Sequence, residues 1–251
     1  MSQSDTKAKL AEAVRELYRV FKPYSTRRHP EGCPCCVSDE DNRRIMAKPL
    51  EELTPEDLGR YSMKALTTWG EVDDLKHFLP RLFELAAARD SGDLQIEVLF
   101  GKLRIGLWQA WPEPERVAVR TYFRAVWVEC LASAPSSLLG EDILCAIGCA
   151  GDDLLPLTDI WTDCCSESGY EHLVRFLDEN SAALLKRRSL ANGFWSDAET
   201  QGQQVMDWVA DSRTLKRLEA NFEVNSDANY ADTLAVAIDR LGTLQKWLQA
   251  K

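Results

Sequence analysis

The chain has 251 residues, enough for one large domain or two small ones, with 45% hydrophobic and 28% charged residues, as in ordinary globular proteins. Its formal charge of −10 excludes a generally basic, nucleic-acid-coating surface. No apolar run approaches the ~18 residues of a membrane span, and the N-terminus lacks a signal-peptide core, so no membrane association and a cytoplasmic location are expected. There, eight cysteines are expected as thiols or metal ligands.

In "KLAEAVRELYRVF", Leu10, Val14, Leu17 and Phe21 recur at helical spacing and predict an amphipathic helix. Residues 1–30 carry seven bases against three acids. The helical pattern lapses over 22–53, which holds four prolines and the segment "GCPCCVSDEDNRR". Ser38, followed by Asp39, Glu40 and Asp41, is expected to cap a short helix there, so this stretch reads as an ordered excursion. Residues 1–53 are thus an N-terminal helix plus a cysteine loop, within a single helical domain over 1–251.

Helical signals continue downstream. Thr54, Pro55 and Asp57 are the start signals of a helix expected to run toward Gly70. The stretch 94–107 alternates like a hairpin, yet Ile96, Leu99, Leu103, Leu107 and Ala110 also fit one helix stripe, and helix is favoured. Val119, Tyr122, Phe123, Val126, Cys130 and Leu131 predict another apolar stripe. Ser196 and Glu199 read as a capping box, and residues 231–251 as a closing helix. "HFLPRLFEL" and "DLLPLTDIW" echo each other 76 residues apart, about twice the length of a HEAT or armadillo helix pair. The expected fold is all-α, a superhelix of stacked helix pairs. An irregular helical bundle is the alternative.

The elements Cys33 to Cys36, Thr67 to Gly70 ("TTWG") and Asp73 to Leu85 ("DDLKHFLPRLFEL") resemble an uncharacterised bacterial family. That resemblance covers about a quarter of the chain and implies no activity or catalytic residue.

Cys33 and Cys36 stand at Cys-x-x-Cys spacing, which lets both thiolates reach one Zn²⁺ from a tight turn. His29 is a candidate third ligand, with His77, Cys164 or Cys165 as candidate fourth ligands, while Cys35 is expected to point elsewhere. The same pair supports a redox reading, since Arg27, Arg28 and His29 would lower a thiol pKa. Plain burial of small apolar cysteines is the third reading. Cys145 and Cys149 share a helix face, and Cys164 and Cys165 read as two free thiols. With three histidines, His77 in an apolar run and His172 expected on an exposed helix, no catalytic scheme stands out, and no catalytic residue is assigned.

From Glu141 to Glu179 there are ten acids and one base. Asp152, Asp153, Asp159, Asp163 and Glu167 are expected to form an exposed negative face that attracts a basic protein and repels nucleic acid. Leu144, Ile147, Leu154, Leu157, Ile160 and Trp161 would turn inward. The expected function is non-enzymatic protein binding, with an immunity or inhibitor protein against a basic toxin as the concrete form. The alternative is a zinc-binding or thiol-based enzyme or sensor built on the Cys33–Cys36 loop.

Overall fold

The computed structural model describes residues 3–24, 30–88, 94–135 and 139–249. Among them the chain is all-α, with twelve α-helices, four short 3-10 turns and no strand beyond two isolated bridges. By its contacts the chain divides into two units, Lys7–Val126 and Met1–Thr6 with Trp127–Lys251. No helix of the described residues is long and apolar enough to cross a membrane.

In the Lys7–Val126 unit, α1 (Gln3–Phe21) buries Val14, Leu17 and Phe21 as its spacing predicts. Ser38 caps α2 (Asp39–Met46) in a full box with Asp41, and Thr54 caps α3 (Pro55–Lys64) in another with Asp57. Each side-chain oxygen takes up a backbone N–H that the helix itself cannot satisfy. Helix α3 does not run to Gly70. It stops at Lys64, because Leu66 enters the left-handed region at φ 62° and Thr67, Thr68 and Trp69 all donate to the Lys64 carbonyl.

Helix α4 (Val72–Ala86) opens with Asp74 accepting from the Glu71 N–H at 2.9 Å. Helix α5 (Ile96–Ile105) settles the ambiguous stretch as helix. It buries Ile96, Leu99, Phe100 and Leu103, spacings a strand cannot place on one face. The expected stripe fails at its end. Leu107 sits at φ 53° and is 68% exposed, and the buried Trp108 fills the interior in its place. Phe83 of α4, Phe100 of α5, and Tyr122 and Phe123 of α6 (Glu113–Ala132) form one ring cluster with centroids 4.6 to 6.3 Å apart. The Tyr122 hydroxyl donates to the Phe83 carbonyl at 2.7 Å, so its polar end is satisfied inside the core.

The other unit contains the end of α6, then α7 (Gly140–Cys149), α8 (Leu155–Thr162), α9 (Glu167–Arg187), α10 (Glu199–Ala210), α11 (Ser212–Val224) and α12 (Ala231–Gln249). Helices α9 and α12 pack along each other. The core gathers Trp127, Trp161, Phe176 and Trp208, with ring centroids 5.1 to 6.2 Å apart. Gln245 of α12 donates to the carbonyls of Val209 and Asp211, tying α12 to the end of α10. The Ser196–Glu199 box does not form. Ser196 lies inside a 3-10 turn, Gly193–Asp197, and α10 begins after Ala198 without a side-chain cap. The two echoing prolines also differ in place. Pro80 is buried in the middle of α4, whereas Pro156 is the second residue of α8.

His172 is buried, not exposed. Its Nε2 lies 3.1 Å from the carbonyls of Cys130 and Ser133, which only accept, so Nε2 carries the proton. Nδ1 accepts from the Gly140 N–H at 3.1 Å. Burial lowers its pKa, outweighing the two carbonyl contacts. The unfolded chain therefore takes up a proton near pH 6.5 that the folded chain resists, so the stabilisation is present above that pH and is lost as pH falls. Burial also lowers the pKa of His77, which acts in the same direction. The raised pKa values of the buried Glu141 and the half-buried Asp142 act in the opposite direction, so the expected result of urea unfolding between pH 7.5 and 5.5 is a difference: wild type loses more stability on acidification than His172→Gln does. Identical slopes would remove His172 as a cause.

Candidate metal centre

The loop Glu31–Val37 is fastened to the turn between α3 and α4. Gly32 and Trp69 form an antiparallel bridge. The Cys33 N–H donates to the Thr68 carbonyl at 2.8 Å, and the Gly70 N–H donates to the Glu31 carbonyl at 2.7 Å. Gly70 adopts φ +75°, and a Cβ there would stand 3.1 Å from both Pro30 and Asp74, so a glycine is required. The Trp69 indole donates to Asn42 of α2 at 2.9 Å and meets Tyr61 edge-on. The "CPCC" and "TTWG" segments, separate in sequence, are therefore one structural unit.

Within the loop, the Cys36 and Val37 N–H groups both donate to the Cys33 carbonyl, closing a tight turn. That turn gathers three thiols. Cys33 and Cys35 Sγ are 3.0 Å apart, Cys35 and Cys36 Sγ are 3.6 Å apart, and all three lie within 4.8 Å of one another. Cys35 does not point away as expected. The single residue Pro34 between it and Cys33 does not carry it to the far side of the turn. Zn–S bonds of ~2.3 Å at tetrahedral angles need sulfurs ~3.8 Å apart, so small side-chain adjustments suffice for one ion. The three cysteines can hold a metal ion.

Two cations lie close to the cluster, and the thiols act on one another's ionisation. Arg60 and Lys64 of α3 both donate to the Cys36 carbonyl, placing two cations behind the loop. Arg60 is also paired with Asp41 at 3.1 Å. The hydrogen bond from Cys35 lowers the pKa of Cys33, while the same contact, with Cys36 beside it, pushes Cys35 up to about 11.

His29, Arg27 and Arg28 lie outside the described residues. Among the described residues, His77 does not join the cluster. It is half-buried on α4, against the Phe78 ring. None of the eight cysteines forms a disulfide; Cys130, Cys145 and Cys149 are buried and Cys165 is exposed. Burial raises the Cys164 thiol to about 12, which makes it a poor nucleophile.

The predicted acidic face is only partly assembled. Asp153, Asp159, Asp163 and Glu167 are exposed and Asp152 is half-exposed. Arg217 of α11 spans Asp159 and Asp163 at 2.6 Å each, a base 54 residues further on that the local charge count does not include. Asp153 accepts from the Leu155 N–H and from Gln204. Glu141, from the same acidic run, is buried and accepts from Asn180 at 2.8 Å, and burial raises its pKa. Leu144, Ile147, Leu154, Leu157 and Trp161 do face inward, whereas Ile160 is only half-buried. Beside this face, α8, α10 and α11 line a groove of about 540 Å³ that contains Asp159, Asp207, Asp211, Arg213 and Arg217.

No family model, curated protein or solved structure matches the chain.

Proposed function

We propose that this chain is a non-enzymatic helical binding protein that carries a zinc ion on its Cys33–Cys36 loop, with Cys33, Cys35 and Cys36 as thiolate ligands. The convergence of three sulfurs within 4.8 Å carries the reading. Zinc suits it because thiolates favour borderline-soft cations, and a cytoplasm would keep the thiols reduced. The three thiolates and Zn²⁺ together bear one negative charge, which Lys64 offsets, since Arg60 is itself paired with Asp41. Protein purified without chelator is expected to contain about one zinc per chain by elemental analysis. Serine at Cys33, Cys35 or Cys36 should each lower that content. Metal-free wild-type protein, or full occupancy in Cys35→Ser, would overturn the ligand set. A thiol sensor on the same loop is the competing use of these residues.

A second reading concerns the partner. Asp153, Asp159, Asp163 and Glu167 are exposed around α8, and Arg217 offsets only one charge of the Asp159 and Asp163 pair, so a net negative patch remains that supports capture of a basic protein, in the form of an immunity or inhibitor protein of a bacterial cell. Stacked helix pairs of the HEAT or armadillo kind would supply the scaffold. Trp247, 58% exposed while the other seven tryptophans are buried, is the available aromatic anchor. Asn at Asp152, Asp153, Asp159 and Asp163 is expected to slow association about tenfold at low salt. A pull-down from the source cell, wild type against this variant, tests it. Identical partners and yields would reduce the acids to a solubilising surface.

A further inference from the structure

A metal that holds a fold together draws its ligands from separate parts of the chain, so that only the native state presents them. Here all three sulfurs, those of Cys33, Cys35 and Cys36, come from within four consecutive residues. The unfolded chain owns the same donor set. A ligand bound alike by folded and unfolded chains leaves their balance unchanged, and only the difference in affinity counts. The loop is also fastened without any ion. The Gly32–Trp69 bridge, the Cys33 and Gly70 N–H bonds, the cations on the Cys36 carbonyl and the Ser38–Asp41 cap all act on backbone or on side chains other than the thiols. Cys35 is exposed, so an incoming ligand has access to the cluster.

We propose that Cys33, Cys35 and Cys36 form an exchangeable three-thiolate site for a soft, thiophilic divalent cation, loaded and released without unfolding of the protein. The inference rests on the metal reading above and adds that the ion is cargo or signal, not a staple. Exchange would be ligand substitution. A thiol acceptor binds the cation through its sulfur as the Cys35 sulfur leaves, its proton passes to the Cys35 thiolate, and no electron changes hands.

The experiment uses the full chain with zinc alone. Binding is measured by competition with a chromophoric chelator, and thermal unfolding by far-ultraviolet circular dichroism, with and without one equivalent of zinc. A folded-state affinity ten- to a hundredfold above the unfolded one is worth about 1.4 to 2.7 kcal/mol. The unfolding midpoint should then move by no more than about 10 °C. Excess chelator should strip the ion within minutes, with the helical signal unchanged. Cys35→Ser should weaken binding at least tenfold, while its metal-free midpoint stays within about 2 °C of wild type. Zinc that leaves only with loss of helix, or that raises the midpoint well beyond 10 °C, overturns exchangeability but leaves the metal reading intact. Undiminished affinity in Cys35→Ser overturns the three-thiolate site. No zinc binding at all overturns both readings.

Discussion

Trp161→Ala is expected to cost the Trp127–Lys251 unit about 4 kcal/mol, near the top of what a single core substitution does. Trp161 is fully buried. Its ring lies edge-on to Trp127 at 5.1 Å and stacks on Trp208 at 5.6 Å, with Phe176 at 5.3 Å. Its indole N–H donates to the Gly169 carbonyl at 3.0 Å, joining α8 to the first turn of α9. Alanine removes the rings' shared partner and leaves a cavity that neither neighbouring tryptophan can close without leaving its own hydrogen bond. Those bonds are Trp127 to the Leu157 carbonyl and Trp208 to Thr162. Trp161→Phe keeps most of the volume but loses the donor, for an expected cost of about 2 kcal/mol. Denaturant unfolding followed by circular dichroism, not tryptophan emission, gives the comparison. Equal losses for alanine and phenylalanine would mean that the hydrogen bond, not the packing, dominates.

Lys76→Met is expected to destabilise the Lys7–Val126 unit by about 3 to 5 kcal/mol, the cost of leaving a buried carboxylate without its counter-charge. Lys76 and Glu115 are paired at 2.8 Å, with both side chains only 7% exposed. The ammonium also donates to the Tyr24 hydroxyl at 3.1 Å and sits over the Tyr24 and Trp111 rings. Burial works against its charge, but the hydrogen bonds to Glu115 and Tyr24 prevail, and its pKa is raised. Adding Glu115→Gln should restore most of the loss, because the amide still accepts from Tyr24 while the isolated charge is gone. A double-mutant cycle measures this coupling. Additive losses would mean that the pair contributes no more than its separate packing.

The Lys76–Glu115 pair also shows where reading along the chain stops. Nothing local distinguishes Lys76 from a solvated lysine of an amphipathic helix. Only the approach of α6, which brings Glu115, together with Tyr24, encloses it. His172 has the same history. Its neighbour Glu171 suggests an exposed face, but the histidine turns toward the carbonyls of Cys130 and Ser133 and the start of α7. The site was legible in part for a similar reason. Cys-x-x-Cys spacing marks Cys33 and Cys36, since both ends of a tight turn face one way. Inclusion of Cys35 depends on the side-chain directions around Pro34, and the anchoring by Thr68, Arg60 and Lys64 depends on how α3 and its following turn meet the loop. The acidic run was legible as composition but not as a field, because Arg217 reaches it from α11.

The amino-acid sequence by itself determined the elements. Apolar spacing of three and four, with Ser38–Asp41 and Thr54–Asp57 at helix starts, is satisfied by contacts within a few residues, so these helices follow from local chemistry. The helical state of residues 96–105 was open between two patterns, and the burial of Ile96, Leu99, Phe100 and Leu103 on one face decided it. Tertiary structure alone decided where helices stop and which polar groups are enclosed. Leu66 and Leu107 take left-handed conformations that no propensity assigns to leucine, and Ser196 gives up its cap to a 3-10 turn that places Trp195 in the interior. Those outcomes depend on partners distant in sequence. Packing large side chains outweighs a local preference worth ~1 kcal/mol, and only the assembled fold brings such partners together.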